Sequence, residues 1–415
     1  MNELGLDLMP LEAKIVGRDR SFFADDIETH AQQLADIVGG SRVLFIGGAG
    51  SIGFQTLRSV ARFKPSTLHV IDHNENGLAE LVRAIRSSQE PFEVADLLTL
   101  PFDYGSDTFR LWLENQSDYD YILNFAALKH VRSEKDPYSI LAMLDTNVLK
   151  LERLSKLLQS STGLKRFFCV STDKAANPSS MMGATKRLME HALFSPVLGW
   201  PDATKITSAR FANVAMSNGS LLQSWQMRLA SRQPMACPEG CRRFFVSLSE
   251  SGHLCTLAGL LGDHNNISIP ALKPDAHLVL LQDVARYFLE VQNLEPWFTH
   301  DEAAALSRVD ELAAQGKWPV LLTPLDTAGE KPYEEFVAEN EQALETGFSS
   351  LLRVPYLAPE QPESFVAFLE HFRGLLASPD AAPLTIDSIK TEISKVEEGF
   401  ARSHVVSAKS LDQRI

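Results

Sequence analysis

Residues 42–63, RVLFIGGAGSIGFQTLRSVARF, decide the fold. A short apolar run breaks into glycines, and apolar residues then resume at helical spacing, which predicts strand, tight turn and helix. The turn holds both Gly48-x-Gly50-x-x-Gly53 and Gly47-x-x-Gly50-x-x-Gly53. Glycines at these places permit the turn, admit a pyrophosphate close to the backbone and bring helix against strand. Free N–H groups at Ser51 and Ile52, where the helix begins, would point at a phosphate. Such a pattern alone marks any tight turn, so the context matters. Asp72 closes the next strand 19 residues beyond Gly53. A carboxylate there hydrogen-bonds ribose hydroxyls and repels a 2′-phosphate. No arginine follows Asp72 directly, so NAD rather than NADP is the expected cofactor.

Outward from this unit the same alternation repeats. TLHVID, DYILNFAAL, KRFFCVSTD and KITSARFANV read as buried strands separated by helical stretches, PYSILAMLDTNVLKLERLSKLL among them. Strands alternating with helices predict an α/β fold, a Rossmann-type doubly wound, mostly parallel sheet. The expected organisation is a helical segment over 1–40, an NAD-binding domain over 41–215, a smaller substrate-binding region over 216–377 interleaved with it, and a peripheral helical tail over 378–415. The long helix over 137–158 has an apolar face that would serve either burial in the fold or association into a homo-oligomer.

Composition narrows the functional classes. The chain has 415 residues, 45% of them hydrophobic and 22% charged, with a net charge of -14. That balance is ordinary for a globular protein and opposes a nucleic-acid partner, which asks for a basic face. No apolar run reaches the length of a membrane span and no signal-peptide pattern opens the sequence, so a cytoplasmic protein is expected. The four cysteines are scattered; Cys237 and Cys241 lack partners to complete a metal clip, so no metal is expected.

Residues 171–187, STDKAANPSSMMGATKR, raise a chemical question. They are similar to the strand, loop and helix that carry catalysis in short-chain dehydrogenases/reductases, yet the Tyr-x-x-x-Lys slot reads Met182-Gly-Ala-Thr-Lys186. Taken with GGAGSIG, NFAALKHVRSEKDPYSILAMLDTNV, RFANVAMSNGS, RRFFVSLSE and AGEKPYEEF, in that order, the chain resembles the extended short-chain dehydrogenases/reductases of polysaccharide biosynthesis, the UDP-N-acetylhexosamine 4,6-dehydratases. The likeness runs from about Val16 to about Phe336. One branch of that family also carries methionine in the slot, remains active and is associated with retention at C5.

The resemblance implies a bound NAD and a UDP-sugar substrate, UDP-N-acetylglucosamine first. Hydride leaves C4, a base takes the C5 proton, the C6 hydroxyl departs as water, and hydride returns to C6. It further implies that Asp173 protonates the leaving oxygen, that Lys174 is the C5 base and that Thr172 bonds O4 or relays its proton. Methionine cannot do acid–base work, so the O4 proton must pass to Asp173, through Thr172, or to water. These roles ask for a raised carboxyl pKa and a lowered amine pKa, which partial burial supplies. Direct pairing would do the reverse, so Asp173 and Lys174 are expected to face substrate rather than each other. Lys186 would hold the nicotinamide ribose, Met182 would fill the tyrosine's volume, and Ala126, Ala127 and Asn147 would line the cofactor. Lys129, Asn213, Arg243 and Glu330 match the nucleotide-sugar side, with Arg243 at the diphosphate and Glu330 and Lys331 near the uridine ribose; His130 reads as a packed or positioning residue. Departures from the family pattern, at Ala212, Asn218 and Pro332, fall on that substrate side. The alternatives are a nucleotide-sugar epimerase or reductase, and a non-catalytic binding homologue.

Overall fold

A computed structural model describes residues 9–88, 94–129, 134, 136–325, 331, 333–378 and 384–404. Among these residues the strands, in chain order, are β1 (Arg42–Ile46), β2 (Thr67–Ile71), β3 (Asp96–Leu100), β4 (Tyr121–Asn124) and β5 (Arg166–Val170). There follow β6 (Lys205–Ala209), β7 (Asn213–Val214), β8 (Met235–Pro238), β9 (Arg242–Val246) and β10 (Asn266–Pro270). The last are β11 (Leu278–Leu280), β12 (Glu295–Thr299), β13 (Lys317–Thr323), β14 (Leu344–Glu345) and β15 (Leu351–Pro355).

The main sheet runs β14-β15-β10-β6-β5-β4-β1-β2-β3. Pairing is parallel from β3 through β10, and the two outer strands β15 and β14 are antiparallel. Helices cover both faces, which is why β1, β4 and β5 read as unbroken apolar runs rather than alternating ones. Strand order reverses between β1 and β4, and the crevice beyond their carboxyl ends is where such sheets bind ligands. The sheet continues past residue 215, because β10, β15 and β14 extend it. A smaller parallel sheet, β12-β13-β8, packs its own core from Leu11, Ile15, Trp225, Phe288 and Val320.

The helix over 137–158 is interrupted by a π-helical turn, Asp145–Leu149, between Pro137–Leu144 and Lys150–Leu158. Its apolar residues, Ile140, Leu144, Val148, Leu151 and Leu154 among them, are buried in the main core. The helix Ile386–Val396 packs against its first part, so this apolar face is covered within the chain. The described part of the C-terminal tail, residues 384–404, is accordingly not peripheral. Phe365, Phe368, Phe372, Ile389, Ile393 and Phe400 all enter the main core, and burying one such side chain contributes about 1.5–3 kcal/mol.

Candidate active site

The glycine turn stands at the mouth of the β1–β4 crevice. Gly47 has φ +74°, and a Cβ there would lie 2.5 Å from Ala126 N. Only glycine allows this approach of one strand end to the other. A Cβ on Gly53 would lie 2.6 Å from Gly47 O, so the helix Ser51–Ala61 also needs glycine to pack. Gly50 is different: a Cβ there would meet only Gly47 O, at 3.5 Å, an ordinary contact. Internal packing therefore leaves a cradle at Gly50. No side chain caps the helix that begins there, and its first N–H groups remain available to an anion. Asp72, buried at the end of β2, accepts from Ala49 N (3.1 Å) and Asn74 N (2.9 Å), which ties the turn to the neighbouring strand end. The open glycine cradle, uncapped helix and rim carboxylate fit a dinucleotide.

Across the crevice, Asn124 Oδ1 accepts from Ala126 N at 3.0 Å. Asn147, in the π-helical turn, accepts from Leu128 N and donates to Leu128 O, both at 3.0 Å, and to Thr185 Oγ1 at 2.9 Å. Its amide thus fastens the segment after β4 to the helix Met181–Phe194. Asn147 shapes the wall holding Ala126 and Ala127 through that backbone.

The stretch expected to carry catalysis leaves β5 through extended Thr172 into one 3₁₀ turn, Asp173–Ala175. Ser180 then caps the helix Met181–Phe194 by accepting from Gly183 N, and Glu134 accepts from Met182 N at 3.0 Å. A carboxylate is favourable at a helix N-terminus, although burial raises the pKa of Glu134. A Cβ on Gly183 would lie 2.6 Å from Lys174 O, so the glycine after Met182 lets the helix seat on the loop. Met182 is buried in the main core. Lys186 is also buried and donates to Val170 O (2.7 Å) and Met189 Sδ (3.0 Å); burial lowers its pKa.

Asp173 and Lys174 do not stand apart, and the expectation is corrected on this point. Asp173 Oδ1 accepts from Thr172 Oγ1 (2.8 Å) and Lys174 N (2.9 Å), with Lys174 Nζ at 3.4 Å. The tight turn forces this, because it folds the carboxylate back over the following residue. Lys174 Nζ also lies 3.6 Å from Glu334 Oε1. Burial, which lowers the lysine pKa, is outweighed by the negative charges of Asp173 and Glu334, so it is raised rather than depressed.

Behind the loop lies a buried charge network. Ser171 Oγ donates to Glu190 (2.6 Å), which receives Arg210 Nη2 (2.6 Å) and Nε (2.8 Å). Arg210 also donates to Glu341 (2.5 and 2.9 Å) and to Phe336 O. Arg187 bonds Glu341 at 2.6 Å and Glu397 at 3.3 Å, and Glu397 pairs with His191 as well. Ser403 Oγ donates to Pro178 O at 2.6 Å. The C-terminal segment thus holds both the helix Met181–Phe194 and the loop before it.

On the substrate side, Asn218 N donates to Ser51 Oγ (2.9 Å) and Lys129 Nζ donates to Asn218 O (3.0 Å), which lays the loop before Ser220 over the glycine turn. Asn213, in β7, donates to Phe244 O at 3.5 Å. Arg243, in β9, donates to Lys331 O (3.0 Å), and Lys331 Nζ to Asn177 O (2.7 Å). Asn177 also donates to Glu335 and accepts from Glu339 N, so segment 333–341 closes over the loop after β5. Glu330, Pro332 and His130 lie outside the described residues. Among the described residues no cluster of metal-ligating side chains occurs, and the four cysteines are buried and form no disulfide.

Residues 43–355 match the model of a family described as polysaccharide biosynthesis protein. The chain belongs to this family. Within the polysaccharide biosynthesis family it is similar to an uncharacterized membrane protein of Methanocaldococcus jannaschii, 28% identical over 75% of this chain and 84% of that protein. No helix among the described residues is long and apolar enough to cross a membrane. It is 24% identical to a probable polysaccharide biosynthesis protein, EpsC, of Bacillus subtilis, over 83% of this chain but 54% of that one. A UDP-N-acetylglucosamine 4,6-dehydratase (inverting) of Campylobacter jejuni is 26% identical over 51% of this chain and 61% of its own length. A UDP-glucose 4-epimerase of Rickettsia bellii is also 26% identical, over 55% and 65%. Among solved structures, Pen from Bacillus thuringiensis superposes with a TM-score of 0.61 at 23% identity, covering 77% of this chain and 88% of Pen, which supports the doubly wound fold.

Sequence reasoning missed Glu134, Glu190, Arg210, Glu334, Glu341 and Glu397. Glu334 stands inside a motif stretch and Glu190 three residues beyond one, but their partners Lys174 and Arg210 are distant in sequence. Only the fold brings Arg210 or Lys174 to them.

Proposed function

We propose that the chain is an NAD-dependent nucleotide-sugar 4,6-dehydratase acting on a UDP-N-acetylhexosamine, UDP-N-acetylglucosamine first, in the cytoplasm. The observation that carries this reading is the Thr172–Asp173–Lys174 constellation at the carboxyl end of β5, with methionine in the tyrosine slot. Kinship with a 4,6-dehydratase supports it. NAD, when bound, accepts the C4 hydride and returns it at C6. The uncapped helix at Gly50, Ser51 and Ile52 would hold its pyrophosphate, Asp72 the adenosine ribose and Lys186 the nicotinamide ribose. Arg243 would meet the diphosphate of the substrate.

The proton inventory closes on this chain's own groups. The O4 proton passes through Thr172, already bonded to Asp173 at 2.8 Å, onto the Asp173 carboxylate. Lys174 takes the C5 proton, the electron pair forms C5=C6 as the C6–O bond breaks, and Asp173 protonates the departing oxygen, which leaves as water. Lys174 then returns a proton to C5. A tyrosine is not needed in this sequence.

The test is incubation with NAD and UDP-N-acetylglucosamine in deuterated water, followed by NMR and mass spectrometry. Loss of one water with deuterium at C5 is expected. A C4 epimer without deuterium at C5 would instead identify a 4-epimerase, the activity named for an equally similar relative. Bound cofactor with unchanged sugar, across UDP-hexosamines, would overturn the enzymatic reading.

A further inference from the structure

Lys174 poses a difficulty for the inventory just given. A C5 base must be a neutral amine, yet this amine sits between two carboxylates, Asp173 at 3.4 Å and Glu334 at 3.6 Å. Both are almost fully buried, and the lysine side chain is 27% exposed. Together the three groups carry one net negative charge when all are ionised, and that favours the ammonium form. Among the described residues, the charged groups acting on Lys174 are these two carboxylates and Arg243.

We infer that Glu334 is the acid–base partner of Lys174, taking its ammonium proton so that the amine can act on C5. The inference rests on the dehydratase reading for its chemistry and on the 3.6 Å contact for its geometry. In the starting state Asp173 and Glu334 are carboxylates and Lys174 is an ammonium. Arrival of the O4 proton on Asp173 removes one of the two negative neighbours. What remains is an ammonium beside a single buried carboxylate, and moving one proton from Nζ to Oε1 converts both to neutral forms. Exclusion of water by substrate favours that neutral pair, since desolvation penalises charge. Lys174 then takes the C5 proton and later returns one to C5, and Glu334 gives its proton back when Asp173 is again a carboxylate. The proton count closes over the cycle, and the solvent-exchanged N–H positions of Lys174 supply the deuterium expected at C5.

The position of Glu334 is coupled to the substrate side. Three residues before it, Lys331 offers its carbonyl to Arg243 and its ammonium to Asn177 O. Asn177, on the catalytic loop, also bonds Glu335 and the backbone of Glu339. Arg243, the expected diphosphate ligand, thus shares a backbone segment with the carboxylate that serves Lys174.

The test compares wild type with Glu334→Gln and Glu334→Asp. Glu334→Gln cannot accept a proton, so kcat should fall at least about tenfold at neutral pH and climb with pH as solvent deprotonates Lys174; Glu334→Asp should restore most of the rate and the original profile. An unchanged kcat profile would overturn the inference, and so would a faster reaction at neutral pH, which would make Glu334 only an electrostatic brake. A second readout needs no turnover: competitive acetylation of Lys174, read by mass spectrometry. Removing an opposite charge at this distance lowers an amine pKa by about 1–3 units, so labelling below that pKa should rise about tenfold or more in Glu334→Gln. Unchanged labelling would overturn the contact itself. Raised labelling without any dehydrated product from wild type would sink the dehydratase reading and leave the pairing standing.

Discussion

Replacing Glu341 by glutamine should cost the protein about 3 kcal/mol near neutral pH, and the cost should vanish in acid. Glu341 receives two hydrogen bonds from Arg210 and one from Arg187, and its side chain is fully buried. Burial, which raises its pKa, is overcome by those arginines, and the group is drawn from the ordinary 4.5 down to about 2. At about 1.4 kcal/mol per unit the shift corresponds to roughly 3 kcal/mol. Breaking one partner of a buried ion pair costs about 3–5 kcal/mol, which agrees. The folded-state pKa is depressed, so the stabilisation is present above the unfolded value and is lost as pH falls from about 5 towards about 2. Hydrogen exchange of the helix Met181–Phe194, supported by urea unfolding, would read the difference between wild type and Glu341→Gln. A gap below about 1 kcal/mol near neutrality would refute the reasoning, as would a gap that stays constant into acid.

Two further substitutions separate packing from binding. Gly50→Ala should change stability by less than about 0.5 kcal/mol yet weaken NAD binding about tenfold or more, by thermal melting and titration, because its Cβ meets only an ordinary contact inside the protein. Gly47→Ala should instead destabilise by more than about 2 kcal/mol, since φ is positive and the Cβ collides with the Ala126 backbone. Glu397→Gln should loosen Arg187 and His191, lowering protection of the catalytic helix by about 1–3 kcal/mol; equal protection in wild type and variant would return the C-terminal segment to the periphery.

The sheet and glycine turn were legible because they are local: strand, turn and helix follow one another within residues 42–63, and the pattern states its own geometry. The catalytic stretch was legible as a motif, but its electrostatics were not. The sequence places Asp173 beside Lys174, and whether such neighbours diverge or pair depends on a single turn after β5. Here the turn pairs them. Glu334 was hidden for another reason: its partner is Lys174, on a different element, and a carboxylate in AGEKPYEEF reads as surface charge until the segment is seen closing over the loop. The C-terminal helices were hidden because amphipathic spacing in 386–396 says that one face is buried without naming the surface that buries it.

In the proposed reaction, the buried network would let the site work with methionine at residue 182. A core of two arginines and three glutamates is weak evidence for stability, because well-packed apolar residues often do as well. What it supplies here is position. Arg210 sits just after β6, Glu190 on the helix Met181–Phe194, Glu341 at the end of the closing segment and Glu397 just beyond the helix Ile386–Val396, and all converge on Ser171 or on the helix behind it. Ser171 is the residue before Thr172. A tyrosine-based site can rely on one phenol carried by a helix, whereas the proposed proton route through Thr172, Asp173, Lys174 and Glu334 would need the loop after β5 and the segment around Glu334 fixed relative to each other. Arg210 does this directly: it holds Glu190 and Glu341 together and bonds the carbonyl of Phe336, two residues from Glu334.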